Sequence, residues 1–70
     1  MKIELNKEYT TGAHYRAVVT YQQPPDVQDE FPLIGHVEVE GVKLGMCWTK
    51  DGWAGESLAM DITGDWTNAR

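Results

Sequence analysis

The stretch Val42–Met60, VKLGMCWTKDGWAGESLAM, decides the fold. Asp51-Gly52 between two apolar runs is a strong local hairpin signal. Two loop lengths compete. A two-residue loop sets Leu44 opposite Ala59 and Met46 opposite Ser57. A three-residue loop, Lys50-Asp51-Gly52, sets Leu44 opposite Leu58 and Val42 opposite Met60. Opposed residues share a face, and a slip of one residue turns every side chain over. Only the three-residue loop pairs apolar with apolar. It also puts Gly52 at the left-handed position that such a loop needs.

The preceding turn extends the same sheet. Glu40-Gly41 sets Val39 opposite Val42 and Val37 opposite Leu44, with Glu38 and Lys43 as an opposite-charge pair on the outer face. Glutamate suits the positive φ of a type I′ turn poorly, so the pairing is better specified than the turn type. Three strands then share one apolar face: Leu33, Val37, Val39, Val42, Leu44, Met46, Trp48, Leu58 and Met60.

The remaining chain must cover that face. Ile3 and Leu5 alternate with Lys2 and Glu4, as in a short edge strand. Asn6 to Gly12 reads as a polar turn. Ala13 to Gln22 is rich in β-branched and aromatic residues, with Tyr15, Ala17, Val19 and Tyr21 on one face. Pro24 and Pro25 then break the ladder by removing two N–H donors. The Gln23–Pro32 loop carries Asp26, Asp29 and Glu30, with room for one helical turn from Asp26. Thr63-Gly64-Asp65 reads as a turn before Trp66. Five strands are expected: Lys2–Leu5, Ala13–Gln22, Leu33–Val39, Val42–Thr49 and Trp53–Ile62. The fold class is all-β, or β-dominated. It is one small domain, residues 1–70, forming an antiparallel five-stranded barrel or curled sheet.

Seventy residues bury only about 60% of their unfolded surface. One cysteine permits no internal disulfide, so core packing must suffice or a second copy must help. The lone Cys47 and the absence of a signal segment point to the cytoplasm. No apolar run approaches the roughly 20 residues of a membrane span. The net charge is −5, and the six basic residues are scattered with no two adjacent. Phosphate backbones demand clustered cations, so nucleic acid is an unfavoured partner. An acidic surface serves solubility or attracts a basic protein surface.

Catalysis needs a constellation. Cys47 with His14 or His36 could in principle make a nucleophile–base pair, but no third group is placed to orient the imidazole. His14, His36 and Cys47 also lack the short spacing of metal ligands, and no glycine loop cradles a phosphate. No catalytic residue, metal, cofactor or small-molecule ligand is expected. The small residues Gly45, Cys47, Thr49, Gly55, Ser57 and Ala59 share the outer face of the central hairpin. They suit either curvature of the sheet or a shallow groove for a peptide, a loop or a second subunit. Trp48 belongs to the core. Trp53 lands on the small-residue face as a partner contact or a barrel end cap, and Trp66 caps the structure beyond the last strand.

The pattern W-T-K-D-G-W, residues 48–53, followed by M-D-I, residues 60–62, resembles short uncharacterised β-rich proteins encoded by phages and prophages. The likeness covers Val42 to Ile62 and departs at the tryptophan after the turn, where those proteins more often carry arginine. It implies a small accessory or host-directed protein and no activity. The expected function is a non-enzymatic module that binds a protein partner or a second copy of itself. Trp53, Gly55 and Thr49 on one surface, with Asp26, Asp29 and Glu30 on the other, are the candidate contacts. The alternative is a nucleic-acid-binding small barrel of the OB or SH3-like kind, with Tyr15, Tyr21 or Trp53 stacking on bases.

Overall fold

In a computed structural model, which describes residues 2–55 and 58–66, the chain forms one five-stranded antiparallel sheet. The strands are β1 (Glu8–Thr11), β2 (Arg16–Gln22), β3 (Leu33–Val39), β4 (Val42–Trp48) and β5 (Ile62–Asp65). Their order is β4-β3-β2-β1-β5, so β4 and β5 are the two edges. The sheet curls without closing. A 3₁₀ turn, Leu58–Met60, is the only helical element among the described residues.

The β3–β4 hairpin forms in the expected register, with Val39 opposite Val42, Glu38 opposite Lys43 and Val37 opposite Leu44. Glu40 at φ 52° and Gly41 at φ 81° both adopt the left-handed region, which makes the turn type I′. Pairing along seven residues outweighs the modest cost of a glutamate there. The inner face presents Tyr9 from β1, Ala17 and Val19 from β2, Leu33 and Val37 from β3, Trp48 from β4 and Ile62 from β5. All are buried. The indole Nε1–H of Trp48 donates to the Met60 carbonyl at 2.8 Å, so this large side chain enters the core without an unsatisfied donor.

The three-residue turn also forms. The Thr49 N–H donates to the Trp53 carbonyl at 2.9 Å, the Gly52 N–H donates to the Thr49 carbonyl, and Gly52 sits at φ 92°. Among the described residues, the strand expected after this turn does not form. Residues 53–55 and 58–61 lie instead between β4 and β5, the opposite edge, with Ala54 and Met60 against the core. Their main-chain groups bond to the β1–β2 turn instead of β4: the Gly12 N–H donates to the Asp61 carbonyl and the Ala13 N–H to that of Ala59. Gly55 at φ 91° takes the chain out of the extended region. The buried Asp61 holds the crossing together, its Oδ1 accepting the Ala54 N–H at 2.6 Å. The expected pairs Leu44–Leu58 and Val42–Met60 therefore do not exist, and Leu58 is exposed.

Four further expectations are corrected. Lys2–Leu5 is not a strand; it lies across the sheet, with Ile3 against the core and the Glu4 N–H bonded to the Tyr9 hydroxyl. The first strand is instead Glu8–Thr11, within the stretch read as a turn. Tyr21 leaves the core because the β2–β3 register shifts between Val19 and Tyr21, turning its ring to solvent. Residues 63–65 belong to β5 instead of a turn. The Gln23–Pro32 loop contains no helical turn: the Val27 N–H bonds to the Pro24 carbonyl and the chain then bends.

Candidate functional site

The crossing segment covers the inner face unevenly. Ala54 and Met60 pack against the core that Trp48 belongs to, but among the described residues nothing covers the far end of β4. Val42 is 57% exposed and Leu44 42% exposed on the side that faces the core. This is apolar surface on a strand that is also a sheet edge. Among the described residues no strand pairs with the outer side of β4.

The backbone of that edge is readable from the hairpin. The two-residue turn makes Val39–Val42 a hydrogen-bonded pair, and hydrogen-bonded and non-hydrogen-bonded pairs alternate along an antiparallel ladder. Val42, Leu44, Met46 and Trp48 thus direct their N–H and C=O groups to β3. Lys43, Gly45 and Cys47 direct theirs outward. Unpaired groups in a row are a template for another strand. Beside them runs an open groove of about 440 Å³, lined by Phe31, Ile34, Gly35, Gly45, Met46, Cys47 and Ala54. Its lining is mainly apolar.

The residues singled out from sequence fall in several places. Trp53 is 56% exposed, as expected of a contact residue. It stands off the sheet, however, in a smaller groove with Asp51, Gly52, Asp61, Ile62 and Thr63 beside the start of β5. Thr49 has an internal role, its hydroxyl oxygen accepting the Asp51 and Trp53 N–H groups. Gly55 and Ala59 are not on the outer face, and Ser57 lies outside the described residues. Gly55 lies against the ring of Phe31. Asp29 orders the acidic loop: one carboxylate oxygen accepts the Phe31 N–H at 2.9 Å and the other the Gln23 side-chain amide at 3.1 Å. Asp26 and Glu30 are exposed. Phe31 therefore joins the end of the acidic loop to the groove beside β4. Trp66 follows Asp65 at the end of the β1–β5 ladder, its main-chain N–H donating to the Glu8 carbonyl. His36 lies opposite Gly45 and Cys47 opposite Ile34, as the register implied. Among the described residues no three histidine, cysteine or carboxylate groups converge as a metal site would require.

Behind the hairpin the outer face carries charge. Arg16 on β2 donates to Glu38 on β3 at 2.6 and 3.2 Å and reaches Glu8 at 3.5 Å, and its guanidinium lies 5.7 Å from the Trp66 ring. Hydrogen bonding and charge from Arg16 hold the Glu38 carboxyl below the ordinary glutamate range. A depressed carboxylate contributes stability above its unfolded pKa and loses it as pH falls through the folded value. Glu38→Gln is therefore expected to lower the melting temperature slightly at pH 7 and to narrow the loss of melting temperature between neutral and strongly acidic pH. Equal acid sensitivity in both proteins would place the titrating group elsewhere.

No helix among the described residues is long and apolar enough to cross a membrane. No protein-family model, no curated protein and no solved structure matches this chain.

Proposed function

We propose that the protein is a small binding module, without catalytic activity, that takes up an extended segment of another protein chain along β4. The carrying observation is the coincidence on one edge of outward backbone groups, the exposed Val42 and Leu44 side chains and the apolar groove at Phe31 and Met46. Strand addition uses these parts in this combination: main-chain bonds supply affinity, and pockets for alternate side chains supply selectivity. An accessory role in the cytoplasm, of the kind implied by the likeness to phage-encoded β-rich proteins, is part of the same reading. The nucleic-acid alternative gains little support, since Lys7 and Arg16 are committed to Asp65 and to Glu8 and Glu38.

The test is a proline placed at the edge. Gly45→Pro removes an outward N–H that the ladder does not use, so the fold tolerates it, while an incoming strand loses a partner. Immobilised wild-type protein should retain a host protein that folded Gly45→Pro retains at least about ten-fold less well, a difference of about 1.4 kcal/mol. Retention unchanged by the proline would place the contact elsewhere. Micromolar, steeply salt-dependent binding of single-stranded DNA or RNA would favour the other class.

A further inference from the structure

We propose that the groove beside the start of β5 binds the guanidinium of an arginine side chain presented by a partner protein. The groove is about 280 Å³ and is lined by Asp51, Gly52, Trp53, Asp61, Ile62 and Thr63. It joins one aromatic ring to two carboxylates. Trp53 stands largely exposed, whereas Asp61 is only 9% exposed. Among the described residues the Ala54 N–H alone donates to the Asp61 carboxylate, through Oδ1. A carboxylate has about four acceptor positions, and a charge so far removed from water is costly unless it is paired. No fully buried side-chain oxygen among the described residues lacks a partner, so Oδ2 is the atom through which Asp61 meets the groove.

Among the described residues no cation answers these carboxylates. The ion pairs are Lys7–Asp65, Arg16–Glu8 and Arg16–Glu38, none of them in this groove. The lining itself contains no lysine, arginine or histidine. A hydrogen-bonding cation completes it, and arginine fits best. Its guanidinium is planar, stacks on an aromatic face and donates to a carboxylate through a rigid fork. A quaternary ammonium is held by a cage of aromatic walls, and this groove has one such wall. A calcium ion takes about six to eight oxygen ligands and has no use for an indole. Among the described residues no three ligand groups converge. The volume falls just under the range of drug-sized ligand sites, which suits a single side-chain head. The site is separate from the β4 edge, and strand uptake there neither requires it nor is required by it.

The test is a proton–nitrogen NMR titration of the full chain with N-acetyl-arginine amide, N-acetyl-lysine amide and the neutral N-acetyl-citrulline amide. The Trp53 indole N–H and the Ala54 amide should shift and saturate with the arginine probe, with a Kd on the order of 10 mM. The lysine probe should bind at least about three-fold more weakly, and the citrulline probe should not saturate. The indole N–H of the buried Trp48 should stay still, and in each variant it reports an intact core. Trp53→Ala, read at Ala54, should weaken arginine binding roughly three-fold. Asp61→Asn keeps an oxygen for the Ala54 N–H and loses the charge, so it should weaken binding about ten-fold. Asp26→Asn makes the same change in net charge on the acidic loop and should change binding less than about two-fold. If Asp61→Asn fails to fold, Asp51→Asn, at an exposed position, takes its place and should weaken binding at least about three-fold. Equal binding of the three probes, shifts that never saturate, or equal losses in the groove variant and Asp26→Asn reduce the effect to general attraction by an acidic protein and overturn the proposal.

Discussion

Trp48→Ala is expected to destabilise the protein by about 4 kcal/mol, within the range for deleting a large buried aromatic. Trp48 is fully buried and heads the core by size. It pairs across the hairpin with Leu33 and donates its indole N–H to the Met60 carbonyl. The truncation removes that area from the core, opens a cavity under β4 and leaves the carbonyl without its partner. A domain of this length has about 4–10 kcal/mol in all, so the variant should be largely unfolded or close to it at room temperature. Trp48→Phe separates the two contributions. It keeps most of the apolar volume and loses the hydrogen bond, which costs about 1–2 kcal/mol. Trp53→Ala is the contrast: its side chain is exposed, and the change should stay within about 0.5 kcal/mol. Urea midpoints for the three variants decide the matter. A Trp48→Ala midpoint close to the wild type would remove Trp48 from the core.

The same crossing segment explains what the sequence made visible and what it hid. The β3–β4 hairpin was legible because its cues agree: Glu40-Gly41 fixes the turn, and apolar residues fall opposite apolar residues at every inward position except Gly35, which faces Met46. β1 was hidden because only Tyr9 and Thr11 of Glu-Tyr-Thr-Thr are fully buried. A buried threonine reads as polar, although its hydroxyl oxygen is satisfied locally by the Tyr15 N–H. Residues 53–62 misled in the opposite way, since Leu58 and Met60 mimic an alternating strand. Two residues spoke against that reading. Gly55 takes a positive φ, and Asp61 places a carboxylate inside an apolar stretch, where it survives only by accepting the Ala54 N–H. One mistake about the elements became a mistake about the site. With a fifth strand laid on β4, Val42 and Leu44 look buried and the edge does not exist. With the segment crossing to β5, they become the most exposed apolar residues of the hairpin. Trp53 is exposed, and its neighbours are not the small residues of the outer face, because the turn delivers it to the β5 side.

Gly35→Ala carries the other large effect, and Gly45→Ala is its control. Both glycines lie within strands, one in β3 and one in β4. Composition cannot tell them apart. Their surroundings can. A methyl group at Gly35 would lie 1.9 Å from the Val18 carbonyl oxygen and 2.8 Å from the Val19 Cα. These are main-chain atoms of β2 and cannot rotate away. They sit where the β2–β3 register shifts, between Val19 and Tyr21. The bulge brings the two backbones together there and turns Tyr21 outward. An alanine must push β2 and β3 apart at the centre of the sheet, which we expect to cost about 3 kcal/mol, at the upper end for overpacking. At Gly45 an added methyl meets nothing within 4 Å. Alanine there should be neutral or stabilise by roughly 0.5 kcal/mol, because it restricts the unfolded chain without a clash in the folded one. Urea unfolding of the two variants, with amide exchange at Val18 and Val19 to locate the damage, measures both effects. Equal losses at the two positions would reduce the result to a general dislike of substitutions at strand glycines. An unperturbed Gly35→Ala would mean that β2 and β3 do not approach this closely.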